Sequence, residues 1–402
     1  MKKLFTIIPL LLLANLLPLT FFGLPSTRDI RFEFYGETID FQIETTSIVE
    51  FKGPLSQESV QNFYAAIQQA NFQPAIKALL NYKEKHKPDD WLFYQLIRKT
   101  AQQISPKAAN YDEYTLYKWF FLVQTGYDAI LSIAQDKILF YVQSDENIYN
   151  IPSRISHNKQ YVCLNYHDYG SIDFEKYKFA EVIIPKENAL KGFTYRITQL
   201  PDFNPEDYKE KDIRFTYYDY EYHFKIKLNP QIHVLFNNYP VVDYGYYFNI
   251  PLSKETYASL IPAIRKNIKG MNVKNGIDYL MRFTRYAFIY EKDSEHFGKE
   301  KRLSPEETLL YEQSDCEDRA ALFFYLVKEI YDLPMIVLAY PTHVTVAVQF
   351  DKAVGHPIIY NGNKYYVCEP TPQKTDLRIG ESIPSLNKVS YEVAYAYTPK
   401  HK

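Results

Sequence analysis

The sequence predicts an α+β protein built from two tandem copies of one domain, and three observations carry that reading. Aromatic residues make up 17% of the 402 positions, with 38 Tyr, 27 Phe and only 13 Gly, which is a composition rich in strand formers. Along each half the apolar spacing runs from strand to helix and back to strand, and helices gathered ahead of an antiparallel sheet mark the α+β class. Four short segments of the first half also recur in the second in the same order.

Those segments are Arg28-Asp29-Ile30-Arg31-Phe32 with Lys211-Asp212-Ile213-Arg214-Phe215, and Leu55-Ser56-Gln57-Glu58 with Leu252-Ser253-Lys254-Glu255. Leu122-Val123 and Tyr127-Asp128 match Leu326-Val327 and Tyr331-Asp332, and Tyr161-Val162-Cys163 matches Tyr366-Val367-Cys368. Their spacing grows slowly, as insertions in the second copy require, the largest near Asn229 to Val242. The unit is too long for a solenoid, so the reading is a duplicated domain. The chain divides into a leader over 1–26, a first copy over 27–205 and a second over 206–402.

The leader has Lys2 and Lys3 ahead of an uncharged run from Leu4 to Ser26. That is the pattern of a secretory signal peptide, or of a retained signal anchor. The expectation is that the rest of the chain lies outside the cytoplasm, in the periplasm or cell envelope or extracellularly, with membrane contact only through this segment. No cysteine follows the run, which argues against a lipoprotein anchor. Basic residues number 46 and acidic residues 48, a net charge of −2, which leaves no electrostatic footprint for nucleic acid. The three cysteines, Cys163, Cys316 and Cys368, cannot all pair within one chain.

Each copy opens with aromatic-rich strands, Ile30 to Phe51 and Ile213 to Ile250. In the second copy Ser253 caps a helix over Lys254 to Lys266, and a second helix runs from about Gly276 to Ile289. Ser304-Pro305-Glu306-Glu307 is a helix start, with Ser at the cap, Pro at the first position and acids in the first turn. A helix from Cys316 to Tyr331 follows and stops before Pro334. Strands then cover Met335 to Ala339, Val344 to Phe350 and Lys364 to Cys368, with Asn361-Gly362-Asn363 as a hairpin turn.

Cys316 stands at a helix start, where backbone N–H groups and the helix dipole favour a thiolate. A thiol nucleophile needs a base within hydrogen-bond reach, and the base needs an orienting acceptor. His343 at a strand start and Glu369 at a strand end supply those residue types. The stretch Ser304 to Val327 (S-P-E-E-T-L-L-Y-E-Q-S-D-C-E-D-R-A-A-L-F-F-Y-L-V) resembles the nucleophile region of the transglutaminase-like cysteine-enzyme superfamily. Thr342 to Val348 (T-H-V-T-V-A-V) resembles its histidine strand, and Tyr365 to Thr371 (Y-Y-V-C-E-P-T) its third motif, all in the right order over about Leu252 to Glu381. The Asp315-Cys316-Glu317-Asp318 element is similar to that of bacterial transglutaminase-like periplasmic peptidases.

The resemblance implies a papain-like core in each copy and a triad in the second, with Cys316 as nucleophile, His343 as base and acid, and Glu369 as orienter. Glu369 departs from the family's usual Asp, so Asp376 is the alternative acid. Asp315, Glu317 and Asp318 flank the thiol and raise its pKa; they pair with Arg319 or Arg378, or form a Ca²⁺ site, although the chemistry requires no cofactor. Gln313 and the first turn of the Cys316 helix are the candidate oxyanion donors. In the first copy the triad projects onto about Asp112, onto Ile138 or Leu139, and onto Leu164. That copy therefore lacks all three reactive groups and reads as degenerate.

No G-x-S-x-G, G-x-x-x-x-G-K, G-x-G-x-x-G, H-E-x-x-H or C-x-x-C occurs. The expected function is acyl transfer through a Cys thioester on a protein or peptide substrate, with hydrolysis favoured because water is always present. The alternative is a non-catalytic envelope binding or scaffold protein that retains the triad residues.

Overall fold

The computed structural model describes residues 26–185, 190–291 and 301–399. Apart from Ser26, the leader lies outside the described residues. The chain starts with a hairpin of β1 (Thr27–Phe34) and β2 (Glu37–Glu44). Ile30, Phe32, Phe34, Ile39 and Ile43 are buried, alternating with more exposed, mostly polar neighbours, the period-two pattern of a half-buried sheet. Four helices follow: α1 (Gln57–Gln69), α2 (Gln73–His86), α3 (Asp90–Ile104) and α4 (Tyr111–Gln124). The sheet after them contains β3 (Ala129–Ala134), β4 (Lys137–Gln143), β6 (Ser153–Ser156), β7 (Lys159–Cys163) and β8 (Ala180–Glu181). A short strand, β5 (Ile148–Tyr149), leaves it.

The second half repeats this order. It has a hairpin of β9 (Lys209–Tyr217) and β10 (Tyr220–Leu228), then α5 (Gln231–Phe236), β11 (Val241–Val242), α6 (Tyr244–Tyr247), α7 (Lys254–Asn267) and α8 (Val273–Tyr286). The short strands β12 (Ile289–Tyr290) and β13 (Gln313–Ser314) pair in parallel around α9 (Pro305–Leu310). The helix α10 (Cys316–Tyr331) then leads into β14 (Met335–Tyr340), β15 (His343–Gln349), β16 (Ile358–Tyr360), β17 (Asn363–Cys368) and β18 (Glu392–Tyr397). The two five-stranded antiparallel sheets run β6-β7-β4-β3-β8 and β16-β17-β15-β14-β18. Numbered by chain position within each sheet, both have the order 3-4-2-1-5.

Local chemistry explains the element boundaries. Ser304 and Glu307 form the reciprocal capping box that starts α9, with Pro305 at its first position. Asn361 and Gly362, at φ 46° and 76°, make the two-residue turn between β16 and β17. Two sequence expectations are corrected. The strand reading from Ile213 to Ile250 holds only to Leu228, because Gln231–Phe236 and Tyr244–Tyr247 are helical. Ser253 precedes α7, but its hydroxyl bonds Thr256 and Glu306, not the helix backbone.

One hydrophobic core runs through both halves. The buried Trp91 of α3 donates its indole N–H to Leu235 O at 2.9 Å and meets the Tyr239 ring edge-on at 5.3 Å. β5 pairs with β11 across the same boundary. Among the described residues no helix is long and apolar enough to cross a membrane.

A shared core gives one cooperative urea transition by circular dichroism and by fluorescence. Trp91→Ala lowers its free energy by about 3–5 kcal/mol, whereas two separate transitions with only one affected would contradict the shared core.

Candidate active site

The site is assembled where the N-terminus of α10 meets the ends of β15 and β17. Asp315 caps α10: its Oδ1 accepts from the N–H groups of Glu317 at 2.9 Å and Asp318 at 3.2 Å, and Asp318 answers on the Asp315 N–H. Cys316 is therefore the first helical residue, and its sulfur takes a backbone hydrogen bond from Val344. The β14–β15 hairpin pairs Tyr340 with His343, and Glu369 directly follows β17.

These strands place the His343 Nε2 at 2.9 Å from Glu369 Oε2. An ionised carboxylate only accepts, so Nε2 is the donor in this contact. The second oxygen, Oε1, accepts from Thr371 N at 2.8 Å, and Glu369 is 1% exposed. Asp376, the alternative acid, is elsewhere, 2.5 Å from Arg285 Nη1 and 2.6 Å from Arg282 Nη2.

Two fully buried arginines hold this arrangement, and the sequence reading gave neither of them this role. Arg285 of α8 donates to the Glu369 backbone carbonyl through Nε at 3.1 Å and Nη2 at 2.6 Å, and to Leu377 O through Nη1 at 3.0 Å. Arg319 of α10 binds the carbonyls at the end of α8: Thr284 at 3.1 Å, Arg285 at 2.7 Å and Phe288 at 2.9 Å. Their signal in the sequence was a charge in the buried phase of an amphipathic helix.

The electrostatics of Cys316 oppose the thiolate expected from the helix start. Burial pushes the thiol well above its ordinary value, and the Asp315, Glu317 and Glu369 carboxylates push the same way, against the Val344 hydrogen bond. Among the described residues no hydrogen bond joins the Cys316 sulfur to the His343 ring. Cys316 is therefore a neutral thiol at the start of α10, and His343 is oriented by Glu369.

The flanking acids are engaged by protein donors. Glu317 accepts from Tyr244 OH at 2.8 Å and Arg302 Nε at 3.2 Å; Asp318 accepts from Leu303 N at 2.8 Å and Tyr247 OH at 3.1 Å. Arg302 is thus the cation that pairs with Glu317, in place of the expected Arg319 or Arg378. Among the described residues no group of three or more His, Cys, Asp or Glu side chains could hold a metal ion. Gln313 pairs through its backbone with Ile289 in the β12–β13 ladder and is half-buried. Because Asp315 occupies the Glu317 and Asp318 N–H groups, Cys316 N–H is the donor left in the first turn of α10.

The first half fills the equivalent position differently. α4 starts at Tyr111 behind the cap Asn110, as α10 starts at Cys316 behind Asp315, so Tyr111 and not Asp112 answers to the thiol. The hairpin turns align Lys137 with His343, and the next ladder then aligns Leu164 with Cys368 and Asn165 with Glu369. Cys163 and Cys368 face opposite sides of their sheets, so the Tyr-Val-Cys match is one residue out of register. Tyr111 OH accepts from Asn165 Nδ2 at 2.8 Å and donates to Asp168 Oδ2 at 3.0 Å, a closed polar cluster.

Comparison of the chain with protein-family models, curated proteins and solved structures found no match.

Because the thiol sits above its ordinary range, its thiolate fraction is small at pH 6–7 and rises with pH. Iodoacetamide labelling of Cys316, read by mass spectrometry, is slow at pH 6. Asp315→Asn keeps a capping side chain but removes a negative charge, so labelling at pH 8 speeds up several-fold. An unchanged rate would remove Asp315 from the electrostatics. Arg285→Met strands the Glu369 and Leu377 carbonyls and lowers stability to urea by about 3–5 kcal/mol.

Proposed function

We propose that this chain is an exported transglutaminase-like cysteine enzyme that cleaves or transfers an amide acyl group of a protein or peptide. The observation that carries the reading is the 2.9 Å contact between His343 Nε2 and Glu369 Oε2, beside the helix start that bears Cys316. On this reading residues 206–402 form the catalytic domain and 27–205 a degenerate copy with the same strand order. The leader at 1–26 directs export.

With Nε2 committed to Glu369, Nδ1 is the basic nitrogen. The thiol is neutral at rest, so its proton passes to Nδ1 as the sulfur attacks the amide carbonyl carbon. The C=O π pair moves onto oxygen, which Cys316 N–H stabilises. The tetrahedral adduct collapses, the C–N bond breaks, and the leaving amine takes the proton from His343. A Cys316 thioester remains. Water attacks it with His343 again as base, giving the acid and the free thiol; an amine in place of water gives a new amide.

A second reading has its own support. The raised thiol and the missing Cys316–His343 hydrogen bond suit a binding protein that retains the triad residues. Incubation with p-nitrophenyl acetate separates the two. Mass spectrometry of the enzyme finds an acetyl group on Cys316, lost in Cys316→Ala. His343→Ala lowers the acylation rate by about 10²-fold or more, and Glu369→Gln lowers it less. If no adduct forms at Cys316, or if His343→Ala acylates as fast as the parent, the binding reading replaces the enzyme.

A further inference from the structure

Between the two halves lies a cleft of about 480 Å³, a volume suited to a small ligand. Tyr149, Tyr166 and His167 line it from the first half, and Tyr239, Lys301 and Arg302 from the second. Among the described residues no aspartate or glutamate lines it, although acids outnumber bases 48 to 46 in the chain. The cleft therefore offers cations and aromatic rings without a competing carboxylate on its walls.

Arg302 is the cation best arranged to receive an anion. Its Nε faces Glu317 at 3.2 Å and its Nη1 donates to Val242 O at 2.8 Å. The guanidinium carbon lies 4.2 Å from the Tyr244 ring centroid, which fixes the plane of the fork. Nη2 makes no hydrogen bond among the described residues. Lys301 lies 3.0 Å from Glu307, and His167 lies 3.1 Å from Asp168. Lys301 is drawn back to Glu307, and burial lowers the His167 pKa and favours its neutral form, so Arg302 is the cation that presents an unbonded nitrogen as anchor.

We propose that this cleft is a ligand site, separate from the Cys316 site, for a ring-bearing ligand that carries a carboxylate or phosphate, and that the Arg302 fork grips the anion. Tyrosine rings pack the ring portion, and the guanidinium supplies charge-assisted hydrogen bonds. Glu317, the residue after Cys316, competes for the same guanidinium. A bound anion draws Arg302 away from Glu317, which leaves an extra uncompensated charge beside the thiol. Occupancy of the cleft is thereby coupled to Cys316, whether or not the thiol is catalytic.

The test is calorimetric titration of the full chain with phenyl phosphate, phenylacetate, inorganic phosphate and benzyl alcohol. Tryptophan fluorescence is followed in parallel, because Trp91 lines the cleft and the chain has only 2 Trp. At least one aromatic anion binds about tenfold or more tighter than both inorganic phosphate and benzyl alcohol, and the two aromatic arms tell which oxyanion is preferred. Arg302→Gln loses that affinity. Glu317→Gln, which removes the competitor and keeps the fork, raises it several-fold. This opposite sign keeps the proposal testable even if Arg302→Gln folds poorly. Saturating ligand slows Cys316 alkylation in the parent and not in Glu317→Gln. Benzyl alcohol or inorganic phosphate binding as tightly as the aromatic anions would overturn the proposal. So would unchanged affinity in Glu317→Gln, or no binding at millimolar concentration.

Discussion

The grip of Arg319 on the end of α8 is the contact on which the rest of the site depends. Its guanidinium, with no exposed surface, satisfies the last carbonyls of one helix from the first turn of another. A helix end inside a core would otherwise leave unpaired oxygens, and desolvated carbonyls are expensive. With α8 fixed, Arg285 lies under the end of β17 and takes the Glu369 carbonyl. Glu369 then orients His343. The thiol, the imidazole and the carboxylate thus come from elements far apart in sequence, joined by two guanidinium groups acting on backbone.

Much of this was legible from residue order alone. The Ser304 cap, the α10 boundaries and the 361–362 turn follow from local rules, whereas the approach of His343 and Glu369 was expected only from the family resemblance. Capping and turn chemistry involve neighbours in the chain, so a sequence carries them directly. Arg285 and Arg319 were not assigned their roles, because their partners are carbonyls tens of residues away and a carbonyl has no residue identity. The thiolate expectation failed for a related reason. The helix dipole and the flanking acids are local and readable, whereas the burial that outweighs the dipole and the approach of Glu369 are tertiary. The Tyr-Val-Cys match misled by one position, since three similar letters do not say which side of a pleat they face.

The closed cluster at Tyr111 shows how the same framework behaves without the reactive groups. The phenol fills the space at the helix start, Asn165 bonds it, and Asp168 gathers Lys107 at 2.5 Å and His167 at 3.1 Å around the far side. The Tyr111 hydroxyl is answered on both sides within the first half. At Cys316 the flanking acids are answered too, but among the described residues no hydrogen bond joins the sulfur to the His343 ring.

The indole of Trp91 has a bearing on how the chain is made. Its acceptor, Leu235 O, lies 144 residues further along. During synthesis the first half emerges with that donor unanswered and with the apolar surface around it still wet. The helices of residues 57–124 can form early from local contacts, but their outer face has nothing to close on until the segment around Leu235 and Tyr239 arrives. For that interval the nascent chain presents a sticky aromatic surface, and a folding helper that shields tyrosine- and tryptophan-rich surface would find its work there.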